Sequence, residues 1–256
     1  MTLRVGMGQM LVEGGAAQAN LARAVAMIDR AAREKCSLVV LPECLDAGWT
    51  HPSARDLARP IPGESSVQLA EAAREAGVYV VAGLTERDGA RLYNAAVLIS
   101  PAGDILLKHR KINELDIGRD LYATGDRLGV VRTPLGVLGV TICADNFPES
   151  LDLAHALARM GCQILLSPCA WAVDAAHDNG REPYGSLWLE SYSAIAGRHG
   201  IPVIGVSNVG WLTGGPWQGR KCIGNSLAMG AGGAPLAWGP YGAGAEALVS
   251  VSLETR

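Results

Sequence analysis

The chain of 256 residues holds a single phenylalanine and only four lysines, Lys35, Lys108, Lys111 and Lys221, among its 22 basic residues. Acidic and basic groups almost balance, at a net charge of −3, so there is no basic footprint for nucleic acid. No apolar stretch approaches the length of a bilayer span. The start, Met-Thr-Leu-Arg-Val-Gly-Met-Gly-Gln, has neither the basic n-region nor the apolar h-region of a secretory signal. The expectation is a cytoplasmic protein with no membrane or nucleic-acid partner. The six cysteines, at 36, 44, 143, 162, 169 and 222, form no CxxC pair, and the five histidines stand singly. Neither a disulfide framework nor a metal-ligand set fits that spacing. With 49% hydrophobic and 18% charged residues the composition is that of a globular chain, without a convincing linker or low-complexity tract. One domain over residues 1–256 is expected.

What is present is an α/β alternation that occurs twice. In the first half, a strand at 3–9 precedes a helix at 17–33 whose apolar face is Leu21, Val25, Ile28 and Ala32. A buried-looking strand at 38–41 runs into Pro42-Glu43, a helix covers 65–76, and a strand at 78–81 ends at Gly83. A hairpin follows, 95–100 and 104–110, turning at Pro101-Ala102-Gly103. The second half repeats the order: strand 137–142, helix 150–159, strand 164–166 ending in Ser167-Pro168-Cys169, helix 187–198, strand 202–206. Its hairpin is 226–229 and 235–238, and 247–251 supplies a last strand. The Gly-rich stretch 230–244 reads as turns around an edge strand. Two such units pack most economically sheet on sheet with helices outside, a four-layer α-β-β-α sandwich with an internal pseudo-repeat. A single doubly wound sheet accommodates the two hairpins less well.

Sites in α/β sheets gather beyond the carboxyl ends of parallel strands. That rule selects Glu43, after the strand at 38–41, and Cys143, at a sharp passage from strand toward helix. A helix N-terminus there would lower a thiol pKa, and free backbone N–H groups would hold an oxyanion. Lys111 follows the strand that includes Lys108. Each residue also has an ordinary reading: a core thiol, a solvated loop carboxylate, a surface charge.

At these residues the sequence resembles the nitrilase superfamily, the carbon–nitrogen hydrolases. Leu41-Pro42-Glu43 matches the family's glutamate motif, and Arg110-Lys111-Ile112 matches its lysine motif, though followed by Asn113-Glu114. Residues 139–149 match Gly-x-x-Ile-Cys-x-Asp-x-x-Phe-Pro-Glu with one residue fewer between Asp145 and Phe147, and the one phenylalanine, Phe147, is the one this motif requires. Weaker matches run along the chain at Pro62-Gly63, Tyr93-Asn94, Ser167-Pro168-Cys169-Ala170-Trp171, Val206-Ser207-Asn208 and Gly224-Asn225-Ser226-Leu227. The resemblance implies the α-β-β-α sandwich and a Cys-Glu-Lys triad. Cys143 would be the nucleophile, Glu43 the base, and Lys111 with the Ala144 N–H the oxyanion partners. It implies no metal or organic cofactor, a small amide substrate, and assembly into a homodimer or larger homo-oligomer.

Two departures bear on detail. Many family members carry a second glutamate between the lysine and the next glycine, and the position for it ahead of Gly125 is Gly118. Glu114 is the preferred substitute and Asp120 a shorter one, while either reads equally as a solvated loop carboxylate. Nitrile-hydrolysing members tend to follow the cysteine with Trp-Glu, whereas Ala144-Asp145 looks like the amidase and carbamoylase branches. Tyr122, Trp171 and Asn208 are pocket residues by the family match, with core packing as the alternative for the two aromatics. Arg119, His177 and Arg181 are candidates to read a substrate carboxylate. The end at Leu253-Glu254-Thr255-Arg256 suggests that the family's C-terminal extension is absent or very short.

Overall fold

The computed structural model describes residues 2–254, so Thr255 and Arg256 of the chain end lie outside the described residues. In the first half the elements are β1 (Thr2–Gln9), α1 (Ala17–Arg33), β2 (Leu38–Val40), α2 (Ala54–Leu57), α3 (Glu64–Ala76), β3 (Tyr79–Asp88), β4 (Arg91–Ile99) and β5 (Ile105–Arg110). In the second they are β6 (Val130–Thr133), β7 (Gly136–Val140), α4 (Leu151–Arg159), β8 (Ile164–Cys169), β9 (Ala172–Val173), α5 (Ser186–His199), β10 (Val203–Ser207), β11 (Val209–Trp211), β12 (Lys221–Ile223), β13 (Leu227–Met229), β14 (Pro235–Trp238) and β15 (Ala247–Glu254).

Among the described residues these strands form two six-stranded sheets, ordered β15-β1-β2-β3-β4-β5 and β14-β13-β10-β8-β7-β6, plus a small β11-β12-β9 ribbon. The pseudo-repeat holds over five strands of each sheet. Each large sheet has three parallel strands (β1, β2, β3; β7, β8, β10), then two antiparallel ones (β4, β5; β13, β14). The antiparallel strand on the far edge is β15 in one sheet and β6 in the other.

Strand alternation builds the layers. Leu38, Val40, Val81, Ala96 and Leu98 point into the core shared with Leu138, Val140 and Leu165 of the second sheet. Their neighbours Val39, Leu41, Val80, Ala82, Val97 and Ile99 point the other way, onto Leu21, Ala24 and Ile28 of α1 and Leu69 of α3. Runs that look uniformly apolar therefore serve two cores. The second sheet is covered by α4 and α5, whose Ala154, Leu157, Tyr192 and Ile195 join the same cluster as its strands. The result is the four-layer α-β-β-α sandwich.

Two boundaries differ from the pattern read in the sequence. β3 does not stop at Gly83 but continues to Asp88, turns at Gly89 and returns as β4, with Glu86 opposite Tyr93 and Asp88 opposite Arg91. Charged residues at this far end hide the strand from any apolar periodicity. The strand expected over 137–142 ends at Val140, and Cys143–Asn146 forms a 3-10 turn well ahead of α4.

Gly83 marks a close approach. A Cβ there would lie 2.5 Å from the Glu43 Cα and 2.7 Å from the Pro42 carbonyl oxygen, both backbone atoms that cannot swing away. Gly83→Ala is expected to cost about 1–3 kcal/mol of stability, read as a lower urea midpoint. An unchanged midpoint would mean that the Glu43 segment yields freely.

Candidate active site

Three chain segments meet where the carboxyl ends of β2 and β7 face each other across the two sheets. Glu43 follows Pro42, and its N–H donates to the Cys169 carbonyl of β8 at 3.2 Å, a bond from the first sheet to the second. Lys111 follows β5 and is held at both backbone ends: its N–H donates to the Asn94 carbonyl (2.8 Å), and its carbonyl accepts the Gly125 N–H (2.8 Å). Cys143 opens the 3-10 turn, with its N–H on Ser167 Oγ at 3.1 Å. Cys143 and Cys44 both have φ of 43°, the left-handed region that non-glycine residues enter at a cost. One flanks Glu43 and the other opens the turn, so two of the five non-glycine residues with positive φ among the described residues border this site.

The side chains converge. Lys111 Nζ donates to Glu43 Oε1 at 2.7 Å and to Glu114 Oε1 at 3.3 Å, and all three residues are at most 3% exposed. Asn94 Nδ2 bridges the two carboxylates, 2.6 Å from Glu43 Oε1 and 3.1 Å from Glu114 Oε2. Trp49 Nε1 donates to Glu114 Oε1 at 3.4 Å, and the Trp49 ring lies 5.6 Å from Lys111 Nζ. Glu43 Oε1 is thus saturated, while Oε2 has no hydrogen-bond partner among the described residues. A buried carboxylate oxygen left unpaired is an acceptor available for a proton.

Electrostatics follow from burial. Burial pushes the Glu43 carboxyl up, Lys111 pulls it back, and Glu114 reinforces the rise. For Lys111 burial opposes the charge, but Glu114 and Glu43 outweigh it and hold the ammonium well above the ordinary lysine value. The Cys143 thiol is pushed well up by burial, then by its neighbour Cys169 and by Glu43, against the pull of Lys111. This corrects the expectation of a thiol activated by a helix N-terminus. A 3-10 turn, and not the start of α4, follows Cys143, and the thiol rests protonated, so activation requires a base. The Ala144 N–H donates to no backbone acceptor among the described residues and remains free for a developing oxyanion.

The other candidates fall into two groups. Tyr122 is buried, with its hydroxyl 3.3 Å from the Thr50 nitrogen and 3.7 Å from Cys44 Sγ. Trp171 is buried and stacks on Trp188 at 4.7 Å. Asn208 is buried with Oδ1 unpartnered among the described residues, as is His177 Nε2. Arg119 and Arg181 instead lie on the exposed surface beside Asp116 and Asp178, and Asp120 is exposed, whereas Glu114 is buried against Lys111. The sequence alone does not mark Asn94, Trp49 and Ser167 as site residues. Tyr93-Asn94 and Ser167-Pro168-Cys169 stood out only as weak motif matches, and Trp49 carried no signal in the sequence.

The segment after Glu43 contains a further buried acid. Asp46 accepts the N–H groups of Ala47 (2.8 Å) and Thr85 (3.0 Å), and burial pushes its carboxyl up to about 6. Because the folded-state value is raised, the stability due to its neutral form is present near pH 4 and is lost as pH rises through about 6. Asp46→Asn keeps an acceptor oxygen and cannot ionise. Its stability relative to the unsubstituted protein should therefore rise between about pH 4 and pH 7 and level off above. Paired urea titrations across that range check this, and a pH-independent difference would contradict it.

A family model described as carbon-nitrogen hydrolase matches residues 4–253. The chain belongs to the carbon-nitrogen hydrolase family. Among curated members, omega-amidase NIT2 of Xenopus tropicalis is 36% identical over 163 residues, 59% of this chain and 58% of that protein. A nitrilase of Pyrococcus abyssi is 39% identical over 156 residues, 58% of each. The match thus spans little more than half the length of these relatives. The crystal structure of a carbon-nitrogen hydrolase from Helicobacter pylori G27 superposes with a TM-score of 0.87 at 23% identity, covering 99% of this chain and 90% of that one, and shares its fold. Among the described residues no helix is long and apolar enough to cross a membrane.

Proposed function

We propose that this carbon-nitrogen hydrolase is a thiol amidohydrolase acting on a small primary amide, with Cys143 as nucleophile, Glu43 as base and Lys111 as oxyanion partner. The observation that carries the reading is the Lys111 ammonium held between Glu43 and Glu114, with Glu43 presenting its one unpaired oxygen in the site that Cys143 enters from the other sheet. The omega-amidase relative supports an amide as substrate.

In the reaction Glu43 Oε2 takes the thiol proton as Cys143 Sγ bonds to the amide carbon. Lys111 and the Ala144 N–H stabilise the oxyanion. The tetrahedral species collapses with loss of ammonia, which receives the proton from Glu43, and leaves a thioester on Cys143. Glu43 then takes a proton from water, whose oxygen attacks the thioester; the C–S bond breaks, the carboxylic acid leaves, and Glu43 returns the proton to Cys143 Sγ. Glu114 and Asn94 orient Lys111 and Glu43, and Tyr122, Trp171 and Asn208 line the pocket. The three ionisable groups titrate as one coupled set. We further propose one domain over residues 1–256, a homodimer or larger homo-oligomer, and a cytoplasmic location.

The test is ammonia release from a panel of primary amides, N-carbamoyl amines or amino acids, and nitriles. Faster release from the amides is expected. Preference for the N-carbamoyl compounds, with carbon dioxide as second product, would shift the substrate class to carbamoyl groups, and silence across the panel would overturn the reading.

A further inference from the structure

The carboxylate of Asp145 is tied by hydrogen bonds to two backbone N–H groups just after Lys111, to the His109 side chain just before it, and to the peptide that leads into Cys143. Its Oδ1 accepts the N–H groups of Ile112 (3.0 Å) and Asn113 (2.8 Å), which follow Lys111. Its Oδ2 accepts the N–H of Ile142 (2.9 Å), just before Cys143, and bonds His109 Nε2 (2.8 Å), two residues before Lys111. Asp145 and His109 are both buried. Burial alone would raise the Asp145 carboxyl, but His109 and the backbone donors outweigh it and hold the group below the usual aspartate range, so it is an anion. His109 Nδ1 has no partner among the described residues. Since the Asp145 carboxylate only accepts, the Nε2 end of the ring supplies the proton of that bond.

Lys111 belongs to the first sheet and Cys143 to the second. Side-chain packing between sheets is non-directional and tolerates small slips, whereas four short hydrogen bonds to one carboxylate do not. Asn113 adds a parallel tie, donating through Nδ2 to the Ala144 carbonyl at 2.7 Å. We propose that Asp145, oriented by His109, is a positioning residue that fixes Lys111 against Cys143 and so governs kcat. This rests on the amidohydrolase reading, because it assigns the clamp's effect to the reaction of Cys143.

Asp145→Asn would turn an amide N–H₂ toward two of the four donors, breaking one side of the clamp without changing size. A displacement on the order of 1 Å costs about 100-fold in a positioned reaction. Accordingly kcat, normalised to the Cys143 thiol titrated by alkylation, is expected to fall ~100-fold with KM changed less than about threefold. His109→Leu removes one donor and should lower kcat about tenfold, while His109→Gln, which keeps an N–H near the Nε2 position, should stay within about twofold. The rate of Cys143 alkylation by iodoacetamide should fall in the same order, a readout that a loss of folded protein does not move once normalised.

If Asp145→Asn does not fold, the His109 pair decides. Equal kcat per titrated thiol in His109→Leu and His109→Gln, or an Asp145→Asn variant with undiminished kcat and alkylation rate, would overturn the proposal. Failure of the amidohydrolase reading looks different: the unsubstituted protein would release no ammonia from the panel, while the alkylation rates would still report on the clamp.

Discussion

Cys143→Ala should lower ammonia release by at least about 10⁴-fold, because removal of a covalent nucleophile leaves only oxyanion stabilisation and binding. The fold should survive. The Cys143 side chain loses only a weak thiol contact with Cys169, its backbone N–H still reaches Ser167, and an alanine occupies less room at the edge of the inter-sheet core. Far-UV circular dichroism and the urea midpoint should match the unsubstituted protein within about 1 kcal/mol. Of the six cysteines Cys143 is the most exposed where exposure is given, at 8% against at most 4% for the others. Selective alkylation should therefore label it first and abolish turnover in proportion. Retained turnover in Cys143→Ala, or uniform labelling without loss of turnover, would refute its role.

Lys111→Met should damage both chemistry and stability. Loss of an oxyanion donor costs about 10²–10³-fold in turnover. The larger structural consequence is that Glu43 and Glu114, now held at 2.7 Å and 3.3 Å from the ammonium, are left as two buried carboxylates without a cation. Breaking a buried pair in this way costs about 3–5 kcal/mol at neutral pH. The pH dependence has a definite sign. Without Lys111 the Glu43 carboxyl, already raised by burial, rises further. Stability that depends on its neutral form is present below the unfolded-state value and lost as pH rises through the folded-state one. The deficit of Lys111→Met should accordingly be small near pH 4 and grow toward pH 8, as read by urea midpoints. A deficit that shrinks as pH rises would mean that the two carboxylates are not charged partners of Lys111.

The layered fold was legible because apolar periodicity and element order are local properties. Leu21 and Ile28 mark the inner face of α1, and Leu38 through Leu41 mark a strand buried on both faces. The far half of β3 was not legible, since Glu86, Arg87 and Asp88 look like loop. Glu86 is buried there by Lys108 and Arg110 of β5, a long-range compensation that periodicity does not register. The strand-end rule and the motifs brought out Glu43, Lys111 and Cys143, and the structure carries Lys111 to hydrogen-bonding distance of Glu43. What no local pattern contains is the environment. Whether a thiol is lowered by a helix end or raised by burial depends on where the helix starts, and here a 3-10 turn intervenes. Asn94 and Asp145 stand in motif matches, but only the fold shows what each one joins.

The central claim is a covalent bond between substrate and Cys143, and the most direct measurement is peptide mapping by mass spectrometry after a brief reaction with a turned-over primary amide and an acid quench. The account predicts the substrate's acyl group on the peptide that carries Cys143, removable by hydroxylamine as a thioester is, and on no other peptide. Ammonia release with the acyl group on a different residue, or with Cys143 unmodified throughout turnover, would contradict it.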